Sequence, residues 1–472
     1  MNRCVTATLR GPDALGRGVV DIDGASFPVS GALAGETVDV EIRVSARGTL
    51  ARLTRVVAPS PDRVVPRCRH AAECGGCDWQ HVRYATQLEW KRSAVAALLE
   101  RALGRPVAVS ATLATTGPVV GEDGAPWGFR NKVHFVFAPD GRGGIAMGHH
   151  ARGSRRVVPV DECPVHADAG NEVAFAVRDH LASLEIPGSA DDGARGVARH
   201  VVVRVAHATG ERVATLVVTR DDERRLRPLT RRLLAGPAAP DGFFLNVHAK
   251  PSPWLFGSST RHLHGRARLR DEVAGASFLI SPTAFFQTNV RAAEAMVQVV
   301  LDAVAGVRGR RVLDLYAGAG LFALPLARAG CEVVAVEENA QAVEAGEASR
   351  SFNHLEARSC RFVRARTEDY VAGRAAHSGG VFSPDVVVLD PPREGCSASV
   401  LAAVLERWQP RLLVYVSCNP EALAADLSDL ARTGALRGRR APYEIDAVCP
   451  VDMFPHTAHV EVVAALRRRE GA

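Results

Sequence analysis

From about residue 290 to the end of the chain, short runs of β-branched and aliphatic residues alternate with stretches of helical periodicity. Strand-like runs fall at Arg311–Leu315, Glu332–Glu337, Arg361–Val363, Val386–Leu389 and Leu412–Val416, with helices expected near 320–329, 339–350, 397–407 and 420–432. Two further strands are expected near 443–448 and 458–465. Strands separated by helices cannot pair as hairpins, so this period predicts a mostly parallel sheet covered by helices. In an open sheet of that kind the carboxyl ends of the strands face the ligand crevice.

At 472 residues the chain exceeds what one hydrophobic core supports, so several domains are expected. Residues 4–58 carry short β-rich runs at 5–9, 18–22, 38–42 and 50–53 between Gly and Asp turns, which predicts a small closed β-barrel of the oligonucleotide-binding (OB) kind. Residues 59–82, rich in Pro, Cys and Gly, predict loops, and 87–100 predicts a helix. Strands such as Lys132–Phe137, Val201–Val205 and Val213–Val218 then alternate with polar loops, with breaks near 115–126, 187–197 and 235–242. The expected division is 1–58, 59–289 and 290–472: a β-barrel, a central α+β domain with a cysteine-bearing loop, and an α/β Rossmann-like domain.

A net charge of +6, from 58 basic and 52 acidic residues, gives a mild bias toward anionic partners and is compatible with nucleic acid. The sequence has no apolar leader and no run of about 18 apolar residues, so a cytoplasmic protein without membrane contact is expected, as a monomer. Ten cysteines are too few for a disulfide scaffold, and in a reducing compartment they point to metal or catalysis.

Four strand ends carry chemistry. The strand ending near Asp314 runs into Gly318-Ala319-Gly320, where missing side chains let backbone approach a ligand; Glu337, ending the next strand, can accept hydrogen bonds from a ribose. An NAD-binding turn with Ala323 at the third glycine position competes, but nothing downstream resembles a hydride-transfer site. Asp390-Pro391-Pro392 follows another strand and is typical of methyltransferases acting on planar bases, which favours S-adenosyl-L-methionine (SAM). Cys418 ends a fourth strand in Ser417-Cys418-Asn419-Pro420, a turn-prone setting unusual for a packing cysteine.

Next to a methyl donor, a thiolate can add to C6 of a uracil, making C5 a nucleophile; a base must later remove the C5 proton. Glu461, His459, His456 and Glu394 are the candidates. Cys68, Cys74 and Cys77, with the more distant Cys163, suit a four-thiolate iron–sulfur cluster, with structural zinc or free thiols as the alternatives. Basic groups in Arg130-Asn131-Lys132 and His149–Arg156 would suit RNA phosphates.

Phe285-Phe286-Gln287-Thr288-Asn289, the 314–320 turn, Asp390–Gly395, Ser417–Pro420 and His459-Val460-Glu461 together resemble the bacterial RNA uracil-5 methyltransferases across nearly the whole chain. The resemblance implies a class I SAM methyltransferase domain, with Cys418 as nucleophile and Glu461 as base. It places Gln287, Tyr316, Gly318, Gly320, Glu337 and Asp390 around the cofactor. Leu321 departs from a polar residue that touches the cofactor in some members. The N-terminal module resembles a TRAM domain, and Cys68, Cys74, Cys77 and Cys163 match [4Fe-4S] ligands, features of members that act on 23S rRNA. The expected function is therefore 5-methyluridine formation in RNA, with 23S rRNA favoured over tRNA. The alternative from another class is a non-catalytic RNA-binding iron–sulfur protein.

Overall fold

In the computed structural model of the protein all residues are described except 1, 14–15, 23, 46–47, 142–143, 190–195, 251–253, 308–309, 375–381, 437–440 and 470–472. Most of the break expected at 187–197 thus lies outside the described residues.

The C-terminal part is built on seven strands, numbered here in chain order: β1 (Arg311–Leu315), β2 (Glu332–Glu337), β3 (Cys360–Arg364), β4 (Val386–Leu389), β5 (Leu412–Ser417), β6 (Tyr443–Val451) and β7 (Glu461–Arg468). Their order is β3-β2-β1-β4-β5-β7-β6. β1 to β5 pair in parallel, and β7 inserts antiparallel between β5 and β6. This is the class I SAM methyltransferase fold. Side chains alternate across the sheet: Val312, Val388 and Val414 pack with Met296 and Val300 of the helix Val290–Ala305, while Leu313, Leu389 and Tyr415 pack with Leu423 and Leu427 of the helix Pro420–Arg432. Strand order reverses between β1 and β4, where such sheets open their ligand crevice. There the Asp390 N–H reaches the Leu315 carbonyl at 3.3 Å.

Two stretches from before residue 290 also pack on this sheet. The helix Tyr84–Leu103 places Val95 and Leu99 in the same apolar cluster as Leu423 and Leu427. The hairpin Leu269–Val273/Ala276–Ile280 docks on the helix Ala340–Phe352, with the Leu279 N–H donating to Ser349 Oγ at 2.9 Å.

The central domain has its own seven-stranded sheet, ordered Val157–Pro159, Ile145–His150, Lys132–Pro139, Ala198–Val205, Arg212–Val218, Gly242–Val247, Ser259–Gly265. The helices Asp168–Ser183 and Glu223–Ala235 share its apolar core. The N-terminal part has five strands, in a three-stranded sheet and a hairpin bridged at Arg10 and Val19, around Leu9, Val20, Val29, Val38 and Val40. The hairpin strand Ala25–Val29, with Pro28 and two exposed residues, lacks an alternating apolar signature. No helix among the described residues is long and apolar enough to cross a membrane.

Candidate active site and cysteine pocket

β5 and β7 set the geometry. Their antiparallel register pairs Ser417 with Val462, so one further step brings Cys418 alongside Glu461. Ser417 Oγ accepts from the Asn419 N–H at 3.1 Å and donates to the Asn419 carbonyl at 2.9 Å, which shapes the turn. Asn419 then caps the next helix through the Glu421 N–H and donates from its side chain to the Arg393 carbonyl at 2.9 Å. Helix start and strand end thereby hold Cys418 at the tip of the sheet.

Glu461 is buried, and burial, aided by the nearby Asp390 charge and opposed by Arg393, pushes its carboxyl up to about 8. Asp390 keeps part of its surface accessible, yet protein densely surrounds its carboxyl and raises it to about 7. The half-buried Cys418 thiol is raised by burial and by Glu461 and Asp390, with Arg393 acting oppositely. Thiol, two carboxyls and one guanidinium therefore share one electrostatic environment. Neutralising either acid favours the thiolate.

The glycine turn adjoins them. Gly318 has φ +55° and open space where a Cβ would stand; Gly320 has φ +88° and would place a Cβ 2.8 Å from the Phe362 ring. The first glycine leaves room and the second allows close packing. Glu337 accepts from the Gly318 N–H at 3.0 Å and from the Asn339 N–H at 2.7 Å, which fixes its carboxylate beside the turn. Tyr316 adopts φ +63°, uncommon for a side-chain-bearing residue, and donates to Glu368 at 3.2 Å. Beneath lies Asp314, fully buried, its carboxyl held well above the usual range by burial and by Asp390.

Gln287 sits between buried Phe286 and Asn289; its side chain makes no hydrogen bond among the described residues. Asn289 donates to the Met453 carbonyl at 3.0 Å and caps the helix Val290–Ala305, anchoring that loop to the segment before Glu461. Leu321 is buried in the apolar core, consistent with its loss of polarity.

The other base candidates have different surroundings. His456 is buried, stacks on Trp127 at 4.2 Å, and is lowered to about 4 by burial, so it is a wedge between domains. His459 and Glu394 are exposed.

Cys68, Cys74, Cys77 and Cys163 line one cavity, and none forms a disulfide. Burial and the neighbouring thiols push Cys163 upward, and Cys77 up to about 12. The Gly76 N–H donates to Cys74 Sγ at 3.4 Å. His149 and His166 bring ring nitrogens within 4.8 Å of Cys163 Sγ, a grouping that sequence spacing did not reveal. Arg130 also lines this cavity, with its buried Nε unpartnered. Its expected place on a phosphate-binding surface is thereby corrected: Arg130 and His149 face inward. Arg156 pairs with Glu73 at 3.1 Å, and Arg152 donates to the Cys77 carbonyl.

A family model described as tRNA (Uracil-5-)-methyltransferase matches residues 270–469. An RNA methyltransferase of Gloeobacter violaceus is 33% identical over 468 residues, covering 98% of this chain and 95% of its own. Another from Thermosynechococcus vestitus is 36% identical over 426 residues, covering 88% and 87%. The chain belongs to the RNA uracil-5-methyltransferase family. Among solved structures, Pyrococcus abyssi tRNA (uracil-54, C5)-methyltransferase in complex with S-adenosyl-L-homocysteine aligns with a TM-score of 0.73 at 26% identity, covering 98% of this chain and 100% of that one.

As a member of this family the chain carries neighbours that its motifs alone left without a role. Arg393, quoted within a motif, acts electrostatically on the Cys418 thiol and the Glu461 carboxyl. Glu368, which holds Tyr316, lies in the short helix Thr367–Val371, too brief to leave a periodic signal.

Proposed function

We propose that this chain transfers a methyl group from SAM to C5 of a uridine in RNA through a temporary Cys418 adduct. The observation that carries the reading is the β5–β7 register, which brings Cys418 beside Glu461, within the electrostatic reach of Asp390 at the sheet's switch point.

The open position at Gly318 and the fixed Glu337 carboxylate fit a nucleoside cofactor, which the Pyrococcus relative holds in product form. SAM supplies an electrophilic methyl group. The Cys418 thiolate adds to C6 of the extruded base, and the enolate's C5 takes the methyl. Glu461, once deprotonated, accepts the C5 proton; the C5–C6 double bond re-forms as the Cys418 sulfur leaves with its electron pair. Asp390 and Arg393 set the charge around both groups.

Cys68, Cys74, Cys77 and Cys163 would hold a [4Fe-4S] cluster: four free thiols meet in one cavity, where Arg130 offsets anionic sulfur. A reducing cytoplasm suits such thiols. This donor set and the N-terminal β-module, read as TRAM-like, favour 23S rRNA. A tRNA substrate is the second reading, favoured by the activity of the Pyrococcus relative. A non-catalytic RNA-binding role leaves the convergence of thiol and buried acids without purpose.

Labelled SAM with separate rRNA and tRNA transcripts, followed by mapping of the label, tests substrate and product together. Cys418→Ala abolishes transfer and Glu461→Gln accumulates a protein–RNA adduct. Methylation by Cys418→Ala would overturn the covalent route.

A further inference from the structure

At the far edge of the central sheet from the cysteine cavity, a groove runs between the helix Glu223–Ala235 and the edge strand Ser259–Gly265. The helix buries Leu226, Leu229 and Leu233 on the domain core, which turns Arg227 and Arg231 outward along the groove. Arg261 faces them from the strand; Thr230, Leu263 and one acid, Glu223, are also among the lining, so three guanidiniums outweigh a single carboxylate. Arg225 and Arg261 have acidic partners, Asp222 and Asp221, whereas Arg227 and Arg231 have none among the described residues. Exposed cations one helical turn apart repel each other, and a bound anion relieves that repulsion.

We propose that this groove binds the phosphate backbone of the RNA substrate, as a docking site separate from the pocket around Cys418. The charge specifies a polyanion, and the guanidinium fork suits phosphate oxygens. Among the described residues no aromatic side chain lines the groove, so those residues offer no stacking platform and suit the strand's backbone rather than its bases. The half-buried Leu263 gives the sugar an apolar floor. The inference rests on the RNA-methylating reading above.

The test uses the full-length protein and the variant R227Q/R231Q, with a labelled 30-nucleotide oligouridylate for binding and total cellular RNA as methyl acceptor. Neutralising two phosphate contacts lowers the slope of log K against log salt by about 1.5. KM for RNA rises several-fold while kcat at saturating RNA holds, and R227K/R231K, which keeps the charge, recovers the slope. A slope and KM equal to wild type, with the melting temperature unchanged, overturns the docking site and leaves the groove to a protein partner. If the wild-type enzyme neither binds nor methylates RNA, the functional reading fails and this inference with it.

Discussion

Gly318 and Gly320 are two residues apart in one turn and meet opposite constraints. An alanine at 318 finds open space and bears only the left-handed backbone, about 1–2 kcal/mol, so Gly318→Ala should fold and show weakened SAM binding by calorimetry. At 320 the new Cβ meets the Phe362 ring at 2.8 Å as well, so Gly320→Ala should add an overpacking cost of about 1–3 kcal/mol and lower the melting temperature by several degrees. Glu461 carries a pH signature. A base must be deprotonated to act, so kcat/KM should rise with pH through about 8, where this carboxyl titrates. Burial raises it from 4.5, so between those values the folded chain keeps a proton that the unfolded chain has lost. Stability contributed by Glu461 is thus full below about 4.5 and is lost as pH rises toward 8. Glu461→Gln should therefore melt higher than wild type at pH 9 and gain nothing at pH 4.

Among elements, the helix Tyr84–Leu103 ties the segment before β7 into place. Buried Lys91 donates to Asp452 at 2.5 Å and to the Phe454 carbonyl at 3.0 Å, and the Tyr84 hydroxyl donates to Asp452 at 2.7 Å. Gln87 accepts from the His456 N–H at 2.8 Å. Removing one partner strands the other charge in the interior, so Lys91→Met should cost about 3–5 kcal/mol, whereas K91M/D452L costs much less; thermal melts separate the two. This helix was legible from its apolar period, and so were β1, β2, β4 and β5, because buried parallel strands read as continuous aliphatic runs. Its partner was not legible. Lys91 and Asp452 are 361 residues apart, and a buried lysine in a periodic helix looks in sequence like any solvated one. The same limit hid the inward turn of Arg130, since the run Arg130-Asn131-Lys132 gives no sign of which face it occupies. Cys418 and Glu461 were readable as chemistry, and only the register joins them.

Over the whole molecule, the cysteine cavity gathers a loop at residues 68–77 and Cys163 against the central sheet. The proposed cluster would stabilise the folded state only, so stripping its iron should lower the melting temperature, and Cys163→Ser should lose iron and sulfide by chemical analysis. Zinc without sulfide would replace the cluster with a structural zinc site. The return of the early helix to the last domain also bears on how this protein can be dissected. A fragment starting at residue 290 would bare the side of the helix Pro420–Arg432 that Val95 and Leu99 cover, leave Asp452 without its lysine, and remove the hairpin that caps Ser349. The C-terminal part is therefore not a module that evolution or an engineer can transplant by cutting at residue 290. The contacts of the last domain reach back at least to Trp79, whose N–H donates to the His456 carbonyl at 2.8 Å, so a fragment that keeps them also takes in the central domain.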